Sequence, residues 1–241
     1  MTQVVRLLLR GKFAHFRRFY TNSSSLTYPI PPPTVIRGIV GAALGLAPGE
    51  YPVLLGDLLV AVRPAAAHRT IFQGINALKV VNSVERELRG YEPRTQIPTQ
   101  LLVPERLGDG LAFELLLVPG RQVSARELAA GLHAPVYPPA LGTAFCLGWV
   151  EDVTLLEATL QREGPPETAA YSGALYADLV EGLSVAPNQR LSRDRYPIRL
   201  ASDRRLEAAR DLLVELSGTP ITCQYRGAWL AVDGVRWGVI G

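Results

Sequence analysis

The sequence predicts an α+β fold with a ferredoxin-like βαββαβ core, an inserted hairpin and a small β-rich C-terminal region. Three observations predict it. Apolar runs and helix-start signals follow one another over residues 1–161 in the order strand, helix, strand, insertion, strand, helix, strand. The insertion, about residues 64–100, is polar and basic and lacks clean periodicity. After Gln161 the stretch REGPPETAA reads as a linker, and residues 171–241 read mainly as strands. The expected organisation is therefore a core at 1–161, carrying the insertion, and a β-rich subdomain at 162–241. The βαββαβ order is the split βαβ arrangement that RNA-recognition modules use, so the core is expected to be RRM-like. At 241 residues, 48% apolar and 20% charged, the chain can bury a sizeable core.

Each element has a local reason. QVVRLLLR at residues 3–10 is rich in Val and Leu and reads as the first strand. GKFAHFRRFYTNSSSLTYPIPPP has no helical period and reads as a long exposed loop. Thr34 is expected to cap a helix whose stripe is Val35, Ile36, Ile39, Val40, Ala43 and Leu44. Gly38, Gly41 and Gly45 in that helix point to close packing against a sheet or a partner. LLGDLLVAVR (54–63) and LAFELLLV (111–118) contain the next core strands. Ser124 with Glu127 three residues on forms a capping box for SARELAAGL. A Gly-bearing loop then leads to a strand near Leu147–Leu156. In the C-terminal region a helix is expected near Asp203–Leu216, and a hairpin turning at Asp233-Gly234.

Several classes are disfavoured. The longest uncharged apolar stretch, Gly38–Gly49, is too short and too broken by Gly and Pro to span a bilayer, and the N-terminus shows no secretory signal, so a cytoplasmic location is expected. Cys146 and Cys223 sit among apolar neighbours and are expected to be buried free thiols. His15, His68 and His133 have no carboxylate or Cys at ligand spacing, so no metal site and no cofactor are expected. The glycine-rich nucleotide-binding and nucleophile-elbow motifs are absent. Glu85, Arg86 and Glu87 read as a solvated face.

Charge is distributed unevenly. Of 25 basic residues 23 are arginines, and residues 1–49 hold six cations (Arg6, Arg10, Lys12, Arg17, Arg18, Arg37) and no acid. Residues 190–210 hold seven arginines against three acids. Guanidinium groups clasp phosphates and stack on bases. The most specific feature is the cluster Lys12, Phe13, His15, Phe16, Arg17, Arg18, Phe19, Tyr20. Its rings offer faces for unstacked bases and its cations neutralise a backbone, while strand alternation sends about half of the rings, Phe13 and Phe19, into the core. The Pro-rich entry to the first helix adds backbone N–H groups that attract phosphate oxygens.

GKFAHFRR followed by SLTYPIPPPTVIRGIVGAALGL resembles the N-terminal signature of the Cas-five family, RAMP subunits of CRISPR type I (Cascade) interference complexes. RTQIPTQLLVP and YPPALGTAFC are similar to two further family segments, so the resemblance covers about residues 3–150. It implies an RRM-like core with a projecting thumb at about 64–100. It also implies binding of the 5′ handle of CRISPR RNA, packing against the large and backbone subunits, and a role in target DNA recognition and antiviral defence. The candidate contacts to phosphates or base edges are Lys12, His15, Arg17, Arg18 and Arg37, with Phe16, Tyr20 and Tyr28 for stacking. Arg69, Asn76, Lys79, Arg94 and Gln96 are the thumb candidates. Gly142 and Thr143 are expected to let the backbone approach the RNA closely.

RNA-cutting relatives of the I-C kind carry a Tyr and an adjacent Lys-His pair ahead of the third strand. This chain has Arg94-Thr95-Gln96 there and no Lys-His pair. The resemblance therefore implies a non-catalytic, type I-B-like subunit served by a separate processing nuclease. Two other readings stay open at this point. One is a metal-independent endoribonuclease using His15 with Tyr28 or Tyr91. The other is a single-strand binder without sequence preference.

Overall fold

The structure, a computed structural model, describes residues 1–22, 24–77, 84–91, 95–106, 108–165 and 167–241. The core elements run β1 (Thr2–Gly11), α1 (Pro33–Ala43), the short α2 (Tyr51–Leu54), β2 (Leu59–Pro64), β3 (His68–Ala77), α3 (Val84–Leu88), β4 (Thr95–Pro104), β5 (Leu111–Val118), α4 (Ala125–His133) and β6 (Gly148–Gln161). The C-terminal elements are β7 (Ala169–Ser172), β8 (Leu175–Tyr176), a single 3₁₀ turn (Ala177–Leu179), β9 (Val180–Ser184), β10 (Leu191–Leu200), β11 (Leu206–Glu215), β12 (Ile221–Tyr225), β13 (Trp229–Val232) and β14 (Val235–Gly238). The class is α+β.

One nine-stranded sheet, ordered β2-β5-β1-β6-β13-β14-β7-β12-β9, crosses residue 161 without a break. β1 lies antiparallel to β5 (Leu7 opposite Leu115) and to β6, and β2 lies antiparallel to β5. Alternation sends Val5, Leu7 and Leu9 to the face that α1 and α4 cover, and Val4 to the opposite face with Leu116, Leu230 and Trp237. β5 has all eight residues buried, as a central strand covered on both faces must. β3 and β4 stand apart as a two-stranded antiparallel ribbon of ten register pairs from His68–Pro104 to Ala77–Thr95.

Local signals behave as their chemistry dictates at several points. The Ser124 hydroxyl accepts from the Glu127 N–H while the Ser124 N–H donates to Glu127 Oε2 at 2.8 Å. Asp233 (φ 49°) and Gly234 (φ 76°) turn the β13–β14 hairpin. Gly41 is required because a Cβ there would sit 2.6 Å from the Cβ of Tyr51, which packs on α1. Cys146 and Cys223 are buried free thiols.

Three expectations are corrected. Thr34 is not the cap of α1: the helix starts at Pro33, and the Pro32 carbonyl accepts from the Val35 and Ile36 N–H groups. A proline in the first turn has no N–H to leave unsatisfied. Residues 206–215 form strand β11, not a helix, because pairing with β10 on one side and β8 on the other overrides the helical preference of LEAARDLL. Glu87 is buried rather than solvated.

Among the described residues no helix is long and apolar enough to cross a membrane. The same residues contain no cluster of His, Cys, Asp and Glu able to hold a metal ion.

Candidate functional site

Three segments distant in sequence meet at one open groove of about 430 Å³. The basic turn after β1 contributes His15, Arg17, Asn22 and Ser25, the β3–β4 ribbon contributes Ile75, Thr95, Gln96, Ile97 and Thr99, and the loop before β6 contributes Thr143 and Phe145. Backbone hydrogen bonds make the junction. Ala14 and Leu102 exchange N–H···O bonds of 3.0 and 2.8 Å, the Ser25 N–H donates to Pro98 O, and the Gln100 N–H donates to Ser25 O. The loop is held by the His15 N–H donating to Leu141 O at 3.0 Å. Gly142 has φ 97°, and a Cβ there would fall 1.9 Å from His15 O. The close approach that Gly142 permits is thus between two protein segments.

His15 is the clasp. Its Nδ1 lies 2.7 Å from Gln100 O, so it carries the proton and donates, and its Nε2, 2.8 Å from Ser25 Oγ, accepts. Burial holds its pKa below the ordinary value, the hydrogen bond to Gln100 opposing and the nearby Arg17 charge reinforcing that shift. His15 therefore positions the ribbon against the turn and is only 3% exposed.

The acid-free N-terminal stretch is not an uncompensated field, because acids from distant elements neutralise half of it. Arg6 pairs with Glu114, Arg10 with Glu151 and Arg18 with Asp194. Arg37 is buried and donates to Ile198 O at 2.6 Å and Leu58 O at 2.8 Å. Lys12 and Arg17 are exposed and have no carboxylate partner among the described residues. In the second basic segment, Arg193, Arg199, Arg205 and Arg210 are likewise ion-paired.

The aromatic expectations are corrected. Phe16 is fully buried, edge-on to Phe113 at 5.7 Å, because its strand-like turn faces the sheet; Phe13 and Phe19, expected inside, are 37% and 43% exposed. Tyr28 is fully buried, stacked on Tyr196 at 4.3 Å, with its hydroxyl donating to Arg195 O at 2.6 Å. Burial drives its pKa well above the ordinary range. Neither ring offers a face to a base, and Arg37 offers no group to a phosphate. Tyr20 is exposed, its hydroxyl held by Asp194, which also pairs with Arg18.

Of the remaining predicted residues, Arg69 and Asn76 are exposed on β3, with Asn76 opposite Gln96 in the register. Lys79 and Arg94 lie outside the described residues. The groove thus unites His15, Arg17, Gln96 and Thr143 of the predicted set. Asn22, Ser25, Ile75, Thr95, Ile97, Thr99 and Phe145 were not picked out by sequence reasoning. Phe145 carried the one usable signal, an aromatic residue three positions beyond the Leu-Gly of its loop. The lining contains no carboxylate. An unpaired cation, a ring and amide and hydroxyl groups can together hold a nucleotide's phosphate, base face and base edge.

A nine-stranded antiparallel-rich sheet with a polar groove beside the β3–β4 ribbon defines a protein of the mixed α+β class. The chain belongs to the family described as CRISPR-associated protein (Cas_Cas5), whose model matches residues 4–212. Among solved structures it is similar to a CRISPR protein from Archaeoglobus fulgidus, with a TM-score of 0.61 at 17% identity, covering 100% of this chain and 99% of that one. It is also similar to a chain of a CRISPR RNA-guided surveillance complex, with a TM-score of 0.52 at 17% identity and 91% of each chain covered. No curated protein matched.

Proposed function

We propose that this chain is a non-catalytic subunit of a type I CRISPR interference (Cascade) complex. In this reading it binds and caps the 5′ handle of CRISPR RNA and helps assemble the large and backbone subunits around target DNA. The observation that carries the reading is the groove, which joins the three segments bearing the family resemblance. The core order β2-β5-β1-β6, antiparallel throughout, supports a ferredoxin-like core. The relative drawn from a CRISPR RNA-guided surveillance complex supports the assembly context. Two features favour a binding role over cleavage. Both ring nitrogens of His15 are engaged in the fold, and the Tyr28 hydroxyl is buried on a carbonyl.

The test is affinity for repeat-derived RNA against salt. The chain is expected to prefer repeat RNA over unrelated RNA of equal length. Arg17→Ala is expected to lower the log–log salt slope by about 0.7. Equal affinity for all RNAs with an unchanged slope would overturn the reading, as would metal-free cleavage of repeat RNA lost in His15→Ala.

A further inference from the structure

The groove has one wall that the fold itself does not use. Phe145 is 50% exposed, and the ring of Phe13 braces it at 6.5 Å with a 37° tilt. Ile75 and Ile97, cross-strand partners on the ribbon, line the same groove. The side chains of Asn22, Thr95 and Gln96 have no hydrogen-bond partner among the described residues, whereas the Thr143 hydroxyl is taken by Cys146 Sγ at 3.2 Å. Arg17 lines the same space without a carboxylate partner. A half-exposed ring, an apolar pair, unengaged amide and hydroxyl groups and an unpaired cation match the parts of a single nucleotide. The volume falls within the range of small-ligand sites.

We propose that this groove takes one unstacked nucleobase of the bound strand flat against Phe145. Ile75 and Ile97 complete the apolar slot, Asn22, Thr95 and Gln96 meet the base edge, and Arg17 meets the phosphate. The proposal rests on the RNA-binding reading above and adds the residue on which a base stacks.

The experiment uses the full-length chain and single-stranded RNAs carrying a fluorescent adenine analogue at each position in turn. Stacking on Phe145 is expected to quench one position. Phe145→Ala is expected to abolish that quench and weaken binding roughly 5- to 150-fold, and Phe145→Trp to retain both. Phe72→Ala, which removes an exposed ribbon ring outside the groove, is expected to change neither. If Phe145→Ala binds with the quench intact while Arg17→Ala weakens binding, the stacking proposal fails and the RNA-binding reading stands. If neither substitution alters binding, both fail.

Discussion

Arg37 Nη1 donates to the carbonyl oxygen of Ile198 across 2.6 Å, tying the first long helix to a strand 161 residues further on. The same guanidinium donates twice to Leu58 O, and its burial lowers the pKa from the ordinary arginine value. A cation that looked available to phosphate is a staple between the N-terminal core and the β10–β11 sheet.

Arg37→Met is accordingly expected to lower stability by roughly 2 kcal/mol, the two stranded carbonyls outweighing the relief of desolvating a charge. Urea denaturation checks this. The salt slope of RNA binding by the folded variant is expected to stay unchanged, which an Arg37–phosphate contact would not allow.

Phe16→Ala is expected to cost roughly 3–5 kcal/mol, since the ring is fully buried against Phe113. Tyr28→Phe keeps the stack on Tyr196 and loses only the bond to Arg195 O, for about 1–3 kcal/mol. Denaturation midpoints and RNA affinity measured together separate this account from base stacking, which would weaken binding while leaving the fold intact.

Much of this arrangement could be read from short-range patterns. The α+β class, the Ser124 capping box and the Asp233-Gly234 turn each depend on neighbours within a few residues. His15, Arg17, Gln96 and Thr143, which line one groove, lie in the segments that carry the family resemblance. The failures have long-range causes. No local pattern shows that Arg37 meets Ile198 or that Arg18 meets Asp194, so the N-terminal cations looked freer than they are. LEAARDLL has helix-forming residues, and only its two strand partners make it β11. Phe16 rather than Phe13 turns inward because the even positions Ala14 and Phe16 face the core while Phe13, Arg17 and Phe19 face out, a phase that the long-range bridge of Ala14 to Leu102 accompanies. Phe145 stands in a loop where no periodicity marks it.

Acid is expected to weaken the fold through His15 and His68. Burial holds both below the ordinary 6.5, so the unfolded chain takes up protons where the native chain does not. Stability is full above 6.5 and falls as the pH drops through the window beneath it, until the lowered native pKa values are reached. A protonated His15 would turn Nε2 from acceptor to donor toward Ser25 Oγ, so the cost lies in burying the added charge. His15→Gln should flatten part of the pH dependence of the urea midpoint.

Both thiols should resist alkylation in the native state. Burial pushes Cys223 up to about 11 and also raises Cys146, the latter partly offset by its contact with Thr143. Mass spectrometry after iodoacetamide treatment should find neither modified without denaturant and both modified with it.

The most direct measurement is photo-cross-linking of repeat-derived RNA to the full-length chain, with the attached peptides located by mass spectrometry. The account predicts cross-links on peptides carrying Arg17, Gln96 and Phe145, one from each segment that lines the groove. Cross-links confined to the far end of the sheet, on β9, β12 or the β13–β14 hairpin, would contradict it.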